Sequence, residues 1–130
     1  MKKIINIILV FVLALTLSSC SKYKSSYKAV SSVTTNTTKA ASMSFYSFIG
    51  TRVFKLKSKG ENKLSYSVKI ESGDAKAYYD NGNGKIELLS ISSGENMAGS
   101  ITTIVPGYLY IIFETNGKCL NGSIEFKLTQ

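Results

Sequence analysis

The sequence predicts an all-β fold, an antiparallel β-sandwich of jelly-roll or immunoglobulin-like type with about seven strands, on three observations. Apolar residues recur with period two through residues 42–130, the spacing at which one face of a strand is buried and the other is wetted. Clusters of glycine and asparagine interrupt these runs at short intervals, and tight hairpins need the positive φ that those residues tolerate. No part of 42–130 carries an apolar stripe at helical spacing.

Taken in order, Tyr46 and Phe48 share parity with Phe54 and Leu56, which alternate with Val53, Lys55 and Lys57. Leu64, Tyr66, Val68 and Ile70 alternate with Ser65, Ser67, Lys69 and Glu71. Ala75, Ala77 and Tyr79 alternate with Lys76, Tyr78 and Asp80. Ile86 and Leu88 form a short run, followed by Ile101 to Val105. The continuously apolar Tyr108 to Phe113 predicts a central strand covered on both faces. Ile124, Phe126 and Leu128 make the last alternation. Turns are expected at Lys59 to Asn62, Ser72-Gly73, Asp80 to Gly84, Ser93 to Asn96, Pro106-Gly107, and from Asn116-Gly117 through Asn121-Gly122.

Residues 1–41 have a different composition. Met1-Lys2-Lys3 is a basic start, and Ile4 to Leu17 is an apolar run of fourteen residues that ends in Leu17-Ser18-Ser19-Cys20. A bilayer span needs about 20 apolar residues, so this run, which also contains Asn6, is too short to cross comfortably. The segment resembles a bacterial lipoprotein signal peptide, with Leu17, Ser18, Ser19 and Cys20 matching the cleavage motif. The resemblance implies that a signal helix over 1–19 is cleaved and that the Cys20 thiol takes a diacylglycerol. It also implies that membrane lipid is the partner of Cys20 and that the mature chain sits on the extracytoplasmic face of the cell membrane, or on the outer membrane in a Gram-negative cell. Residues 20–41 are rich in Ser, Thr and Lys with no apolar period, and are expected to form a flexible basic tether that spans about 25 Å as a coil. The sandwich domain is then 42–130.

The net charge of +8 is unevenly spread. Lys2 and Lys3 lie in the leader and Lys22, Lys24, Lys28 and Lys39 in the tether, whereas the domain has ten basic against eight acidic residues, a net charge of +2. A domain so nearly balanced has no basic stripe and is not expected to bind nucleic acid. Lys22, Lys24 and Lys28 are read as part of a soluble spacer, with attraction to anionic head groups beside the lipid anchor as the alternative.

Catalytic patterns are scarce. The chain has no histidine, which excludes a Ser-His-Asp triad, a Cys-His pair and a histidine-ligated zinc. Counted from Asp80 as a calcium loop, the third, fifth and twelfth positions hold Gly82, Gly84 and Ile91 rather than oxygen ligands. No cofactor, metal or catalytic residue is expected. With Cys20 given to lipid, Cys119 is the one thiol of the domain; it is read as unreactive in or beside a turn, the alternative being an exposed thiol that is reactive or pairs between chains.

The candidate ligand contacts are tyrosines. Parity places Tyr78 outward with Lys76 and Asp80, and puts Tyr108 and Tyr110 on one face of their strand; exposed tyrosines stack on sugars or anchor protein contacts. Gly73 to Tyr79, Pro106 to Ile112 and Gly122 to Phe126 give a strand rhythm that resembles bacterial pre-peptidase C-terminal and CUB-like sandwiches, and also small lipoproteins of unknown function from low-GC Gram-positive bacteria. That resemblance implies a non-catalytic appendage. The expected function is therefore a lipid-anchored, non-catalytic binding or structural module at the cell envelope, its partner an envelope protein or a glycan; the alternative is a glycan-binding lipoprotein associated with the cell wall or a transporter.

Overall fold

The computed structural model describes residues 22–130; the leader and the motif Leu17, Ser18, Ser19 and Cys20 lie outside the described residues. Seven strands follow one another: β1 (Ser26–Val30), β2 (Val33–Asn36), β3 (Ala40–Ser58), β4 (Lys63–Asp80), β5 (Ile86–Ile91), β6 (Asn96–Ile101) and β7 (Gly107–Thr129). All pairings are antiparallel. They form one open sheet in the order β1-β3-β7-β4-β5, with β2 also on β3 and β6 also on β4.

Three strands are too long to lie flat. β3 has 19 residues, β4 has 18 and β7 has 23, against a usual 3–10 or so. Each bends near its middle, and the bends line up. Pairing of β3 with β7 breaks between Phe48 and Thr51, and pairing of β4 with β7 between Ser72 and Asp74. Across each break β7 advances two residues more than its neighbour, a bulge that turns the sheet. Gly73 sits on this fold line with φ 109°. A Cβ there would lie 2.7 Å from Cys119 Sγ, so both the backbone angle and the close approach of β7 require glycine. The Ser93 hydroxyl braces the same bend, accepting from Gly73 N–H at 2.8 Å. Ser72-Gly73 and Asn116 to Gly122, expected as turns, are thus bends inside continuous strands.

The folded-over sheet makes a sandwich whose layers share strands. The first layer contains β2, residues 40–48 of β3, 119–129 of β7, 63–72 of β4, and β6. The second contains residues 51–58 of β3, 107–116 of β7, 74–80 of β4, and β5. Ring contacts join the layers: Phe54 lies 6.3 Å from Phe126 and Phe45 lies 6.5 Å from Phe113, between centroids. Phe48, Phe54, Phe113 and Phe126 are fully buried with Leu64, Ile70, Leu109 and Ile111, each such side chain contributing about 1.5–3 kcal/mol over exposure.

Several expectations are corrected. Ser26–Val30 and Val33–Asn36, expected within a flexible tether, are strands in one register along β3. Their neighbours satisfy the edge that the second layer would otherwise expose. Val53 N–H donates to Ser25 Oγ at 2.8 Å, Lys55 N–H to Asn36 Oδ1 at 3.3 Å, and Lys57 N–H to Thr38 O at 2.8 Å, which blunts an edge that could otherwise pair with another chain. Tyr46, expected inward, is 57% exposed because parity slips where Ser47 and Phe48 are both buried at the bend. A bulge at Leu88 shifts β5 so that Leu89 and Ile91, not Ile86, reach the core. Residues 102–106 form a loop rather than a strand, with Ile104 plugging the core. That loop is held by Asn81, whose Oδ1 accepts from Val105 N–H at 2.8 Å and whose Nδ2 donates to Tyr108 O at 3.1 Å.

Candidate functional site

The outer face of the second layer brings the three sequence-predicted tyrosines together. Strand alternation puts Lys55 and Lys57 of β3, Tyr108, Tyr110, Ile112 and Glu114 of β7, and Asp74, Lys76, Tyr78 and Asp80 of β4 on this side. Register fixes the rows: Lys57 opposes Tyr108, Lys55 and Asp80 flank Tyr110, and Ile112 lies beside Tyr78. Tyr108 is 51% exposed, whereas Ile112 is 2% exposed. The expectation of a central strand covered on both faces therefore holds at Ile112 and fails at Tyr108.

One end of the face is closed by the N-terminal segment. Lys22 Nζ reaches Asp80 Oδ2 at 2.8 Å, and the Tyr23 hydroxyl donates to the same oxygen at 2.7 Å. Oδ1 accepts from Gly82 N–H at 2.8 Å and from Gly84 N–H at 3.2 Å. Asp80 is 1% exposed. Burial disfavours its charged form, yet the hydrogen bonds from Lys22, Tyr23 and Gly82 outweigh that effect and hold the carboxyl well below the usual carboxylate range. The same hydrogen bond raises Tyr23 above its ordinary value. The Tyr23 ring meets Tyr110 edge-on, 5.6 Å between centroids. Lys55 Nζ stands 4.1 Å from the centre of the Tyr108 ring and Lys57 Nζ 5.2 Å from it, a cation–π arrangement.

The other end is open. A groove of about 450 Å³ runs between β4, β5 and β7, lined by Asp74, Lys76, Tyr78, Ser90, Glu114 and Asn116 among others. Its charges pair loosely: Lys76 with Glu87 at 3.4 Å and Lys85 with Glu114 at 3.5 Å, all four side chains well exposed. Lys85 Nζ also lies 4.2 Å from the Tyr78 ring centre. A second hollow of about 590 Å³ lies along Lys69, Glu71, Asn96 and Asn121, but its one aromatic, Phe45, is 4% exposed and belongs to the core.

Tyr78 thus lines the groove, while Tyr108 and Tyr110 lie under lysines toward the closed end; the three share a face without forming one platform. Asp80 was legible as outward, but not as the anchor of Lys22 and Tyr23. Cys119 is fully buried, its thiol 3.5 Å from Asp74 O. Burial pushes its pKa up, so its thiolate, the reactive form, is disfavoured. Among the described residues no group of three or more Cys, Asp or Glu is placed to hold a metal ion.

No protein-family model matches the chain, and no curated protein matches it significantly. Solved structures similar to it include the pre-peptidase C-terminal domain of collagenase from Bacillus anthracis, at 14% identity over 73% of this chain and 91% of that one, TM-score 0.48. A periplasmic inhibitor of g-type lysozyme from Aeromonas hydrophila is 15% identical over 71% of this chain and 88% of that one, TM-score 0.45. A family 29 carbohydrate-binding module complexed with mannohexaose is 16% identical over 82% of this chain and 90% of that one, TM-score 0.40.

Proposed function

We propose that the chain is an extracytoplasmic lipoprotein, held on a membrane by acylated Cys20, whose sandwich is a non-catalytic binding module with its ligand site in the groove beside Tyr78. The observation that carries the binding reading is that groove. It sets one aromatic ring among carboxylate, ammonium, amide and hydroxyl groups, on strands rather than on mobile loops. Its ion pairs are of the exposed kind, worth about 0–1 kcal/mol, so a ligand displaces them at small cost. The anchor reading rests on the basic start, the fourteen-residue apolar run and Leu17-Ser18-Ser19-Cys20. The absence of histidine from the whole chain and the burial of Cys119 support a role without nucleophilic catalysis.

A glycan fits this composition best among envelope ligands, because Tyr78 offers a stacking face and the surrounding side chains offer partners for hydroxyl groups. Two measurements test the reading. Metabolic labelling with tritiated palmitate is expected to mark the wild type and not Cys20→Ala; label on the mutant overturns the anchor. A glycan array probed with residues 22–130 is expected to give binding that Tyr78→Ala removes. Silence across the array, with an envelope protein co-purifying instead, replaces the glycan by a protein ligand.

A further inference from the structure

We infer that the closed end of the second layer's outer face is a membrane-docking surface that lies on anionic phospholipid head groups. The inference rests on the reading of Cys20 as the acylated residue, and deepens it. Its first ground is covalent reach. Lys22 is fixed on Asp80 at 2.8 Å and is two residues from Cys20, and two residues of extended chain span at most about 7 Å. An acyl group on Cys20 therefore enters the bilayer beside Asp80, and the 25 Å tether expected from composition has no length left to act. Tyr23, hydrogen-bonded to Asp80 and packed on Tyr110, and Ser25, hydrogen-bonded to Val53, keep the segment laid on this face.

The second ground is what lies there. Lys55 and Lys57 stand over the ring of Tyr108, which is 51% exposed, and Val105 at the same end is 52% exposed; Lys24 is exposed on the segment that Tyr23 and Ser25 hold here. Lysines with an amphipathic aromatic and an apolar tip suit the head-group region of a bilayer, and each lysine near an anionic surface adds about 1 kcal/mol of attraction. The carboxylates at this end are already neutralised, Asp80 by Lys22 and Glu61 by Lys39 at 2.6 Å. The groove lies farther along the same face: Tyr78 pairs with Ile112, four residues of β7 from Tyr108, and Asn116 is eight residues from it, about 26 Å of extended strand, so lipid contact at the closed end leaves the far end of the groove uncovered.

The test uses the full-length protein, expressed with its leader, purified with its acyl group and reconstituted in phosphatidylcholine–phosphatidylglycerol vesicles that carry nitroxide-labelled lipid. Because Cys119 is buried and Cys20 is blocked by lipid, a fluorophore attaches selectively to a cysteine introduced by Lys57→Cys, or by Lys127→Cys on the exposed outer side of the first layer. The label at position 57 is expected to be quenched at least about two-fold more than the label at 127, with the difference shrinking as salt rises. The double variant Lys22→Ala, Tyr23→Phe, which frees the segment from Asp80, is expected to bring the two sites toward equal quenching. Intact mass read on the same sample separates the failures. An acylated protein with equal quenching at both sites overturns the docking surface alone; a missing acyl mass overturns the anchor, and the docking surface with it.

Discussion

The two ends of the second layer's outer face use similar residues in opposite ways. At the closed end Asp80 is buried and its two oxygens take four donors at 2.7–3.2 Å, from Tyr23, Lys22, Gly82 and Gly84. At the open end Glu114 and Glu87 each meet a single lysine at 3.4–3.5 Å and stay about half exposed. A carboxylate saturated with donors holds structure; one that is loosely paired in solvent is free to exchange partners. The same chemistry is therefore architectural in one place and available for binding in the other.

The largest effect that probes this contrast is expected from Asp80→Ala. The change removes the charged acceptor of the Gly82 and Gly84 N–H groups and cuts the N-terminal segment loose, at about 1.5–3 kcal/mol for lost hydrogen bonds to a charged group. Asp74→Ala, at the open end, is expected to stay within about 0.5 kcal/mol, as exposed positions usually do. Urea unfolding midpoints on residues 22–130 compare the two. Equal losses would erase the distinction between the ends.

The second effect is on pH dependence. Asp80 has its folded-state pKa depressed, so its stabilising contribution is complete above the unfolded carboxylate value of about 3.9. It is lost as pH falls through the lower folded value. Glu61 behaves alike, its pKa lowered to about 2 by Lys39 and the Lys59 N–H. Unfolding midpoints are therefore expected to be flat above pH 5 and to fall progressively below pH 4. Asp80→Asn is expected to show a shallower acid slope than the wild type. An unchanged slope in that variant would mean that the closed end is not a linked ionic latch.

How far this was legible in the sequence depended on how much each residue buries. Leu64, Val68, Ile70, Ile124, Phe126 and Leu128 alternate into the core and are read correctly from period two alone. β1 and β2 bury little, Val33 being 68% exposed, so edge strands that exist to pair with β3 leave no apolar period to read. Gly73 and Asn116-Gly117 look like turns because a positive φ at a bend and at a hairpin calls for the same residues; only the partner strand decides between them. The tyrosine face followed from parity, but the link of Tyr23 to Asp80 spans 57 residues and has no local signature.

The smallest effect on stability, and the sharpest on ligand class, is expected from Lys85→Ala. The Lys85–Glu114 contact is an exposed pair, so its loss is expected to move the unfolding midpoint by no more than about 0.5 kcal/mol. Binding responds differently. Lys85 Nζ covers the Tyr78 ring from 4.2 Å, and a neutral sugar that stacks there must displace it, whereas an anionic ligand gains from it. Titration calorimetry is therefore expected to show Lys85→Ala binding a neutral envelope glycan at least as tightly as wild type, and an anionic one more weakly. Weaker binding of both would mean that the ammonium, not the ring, makes the contact, and the open end would then be a site selected by charge rather than by stacking.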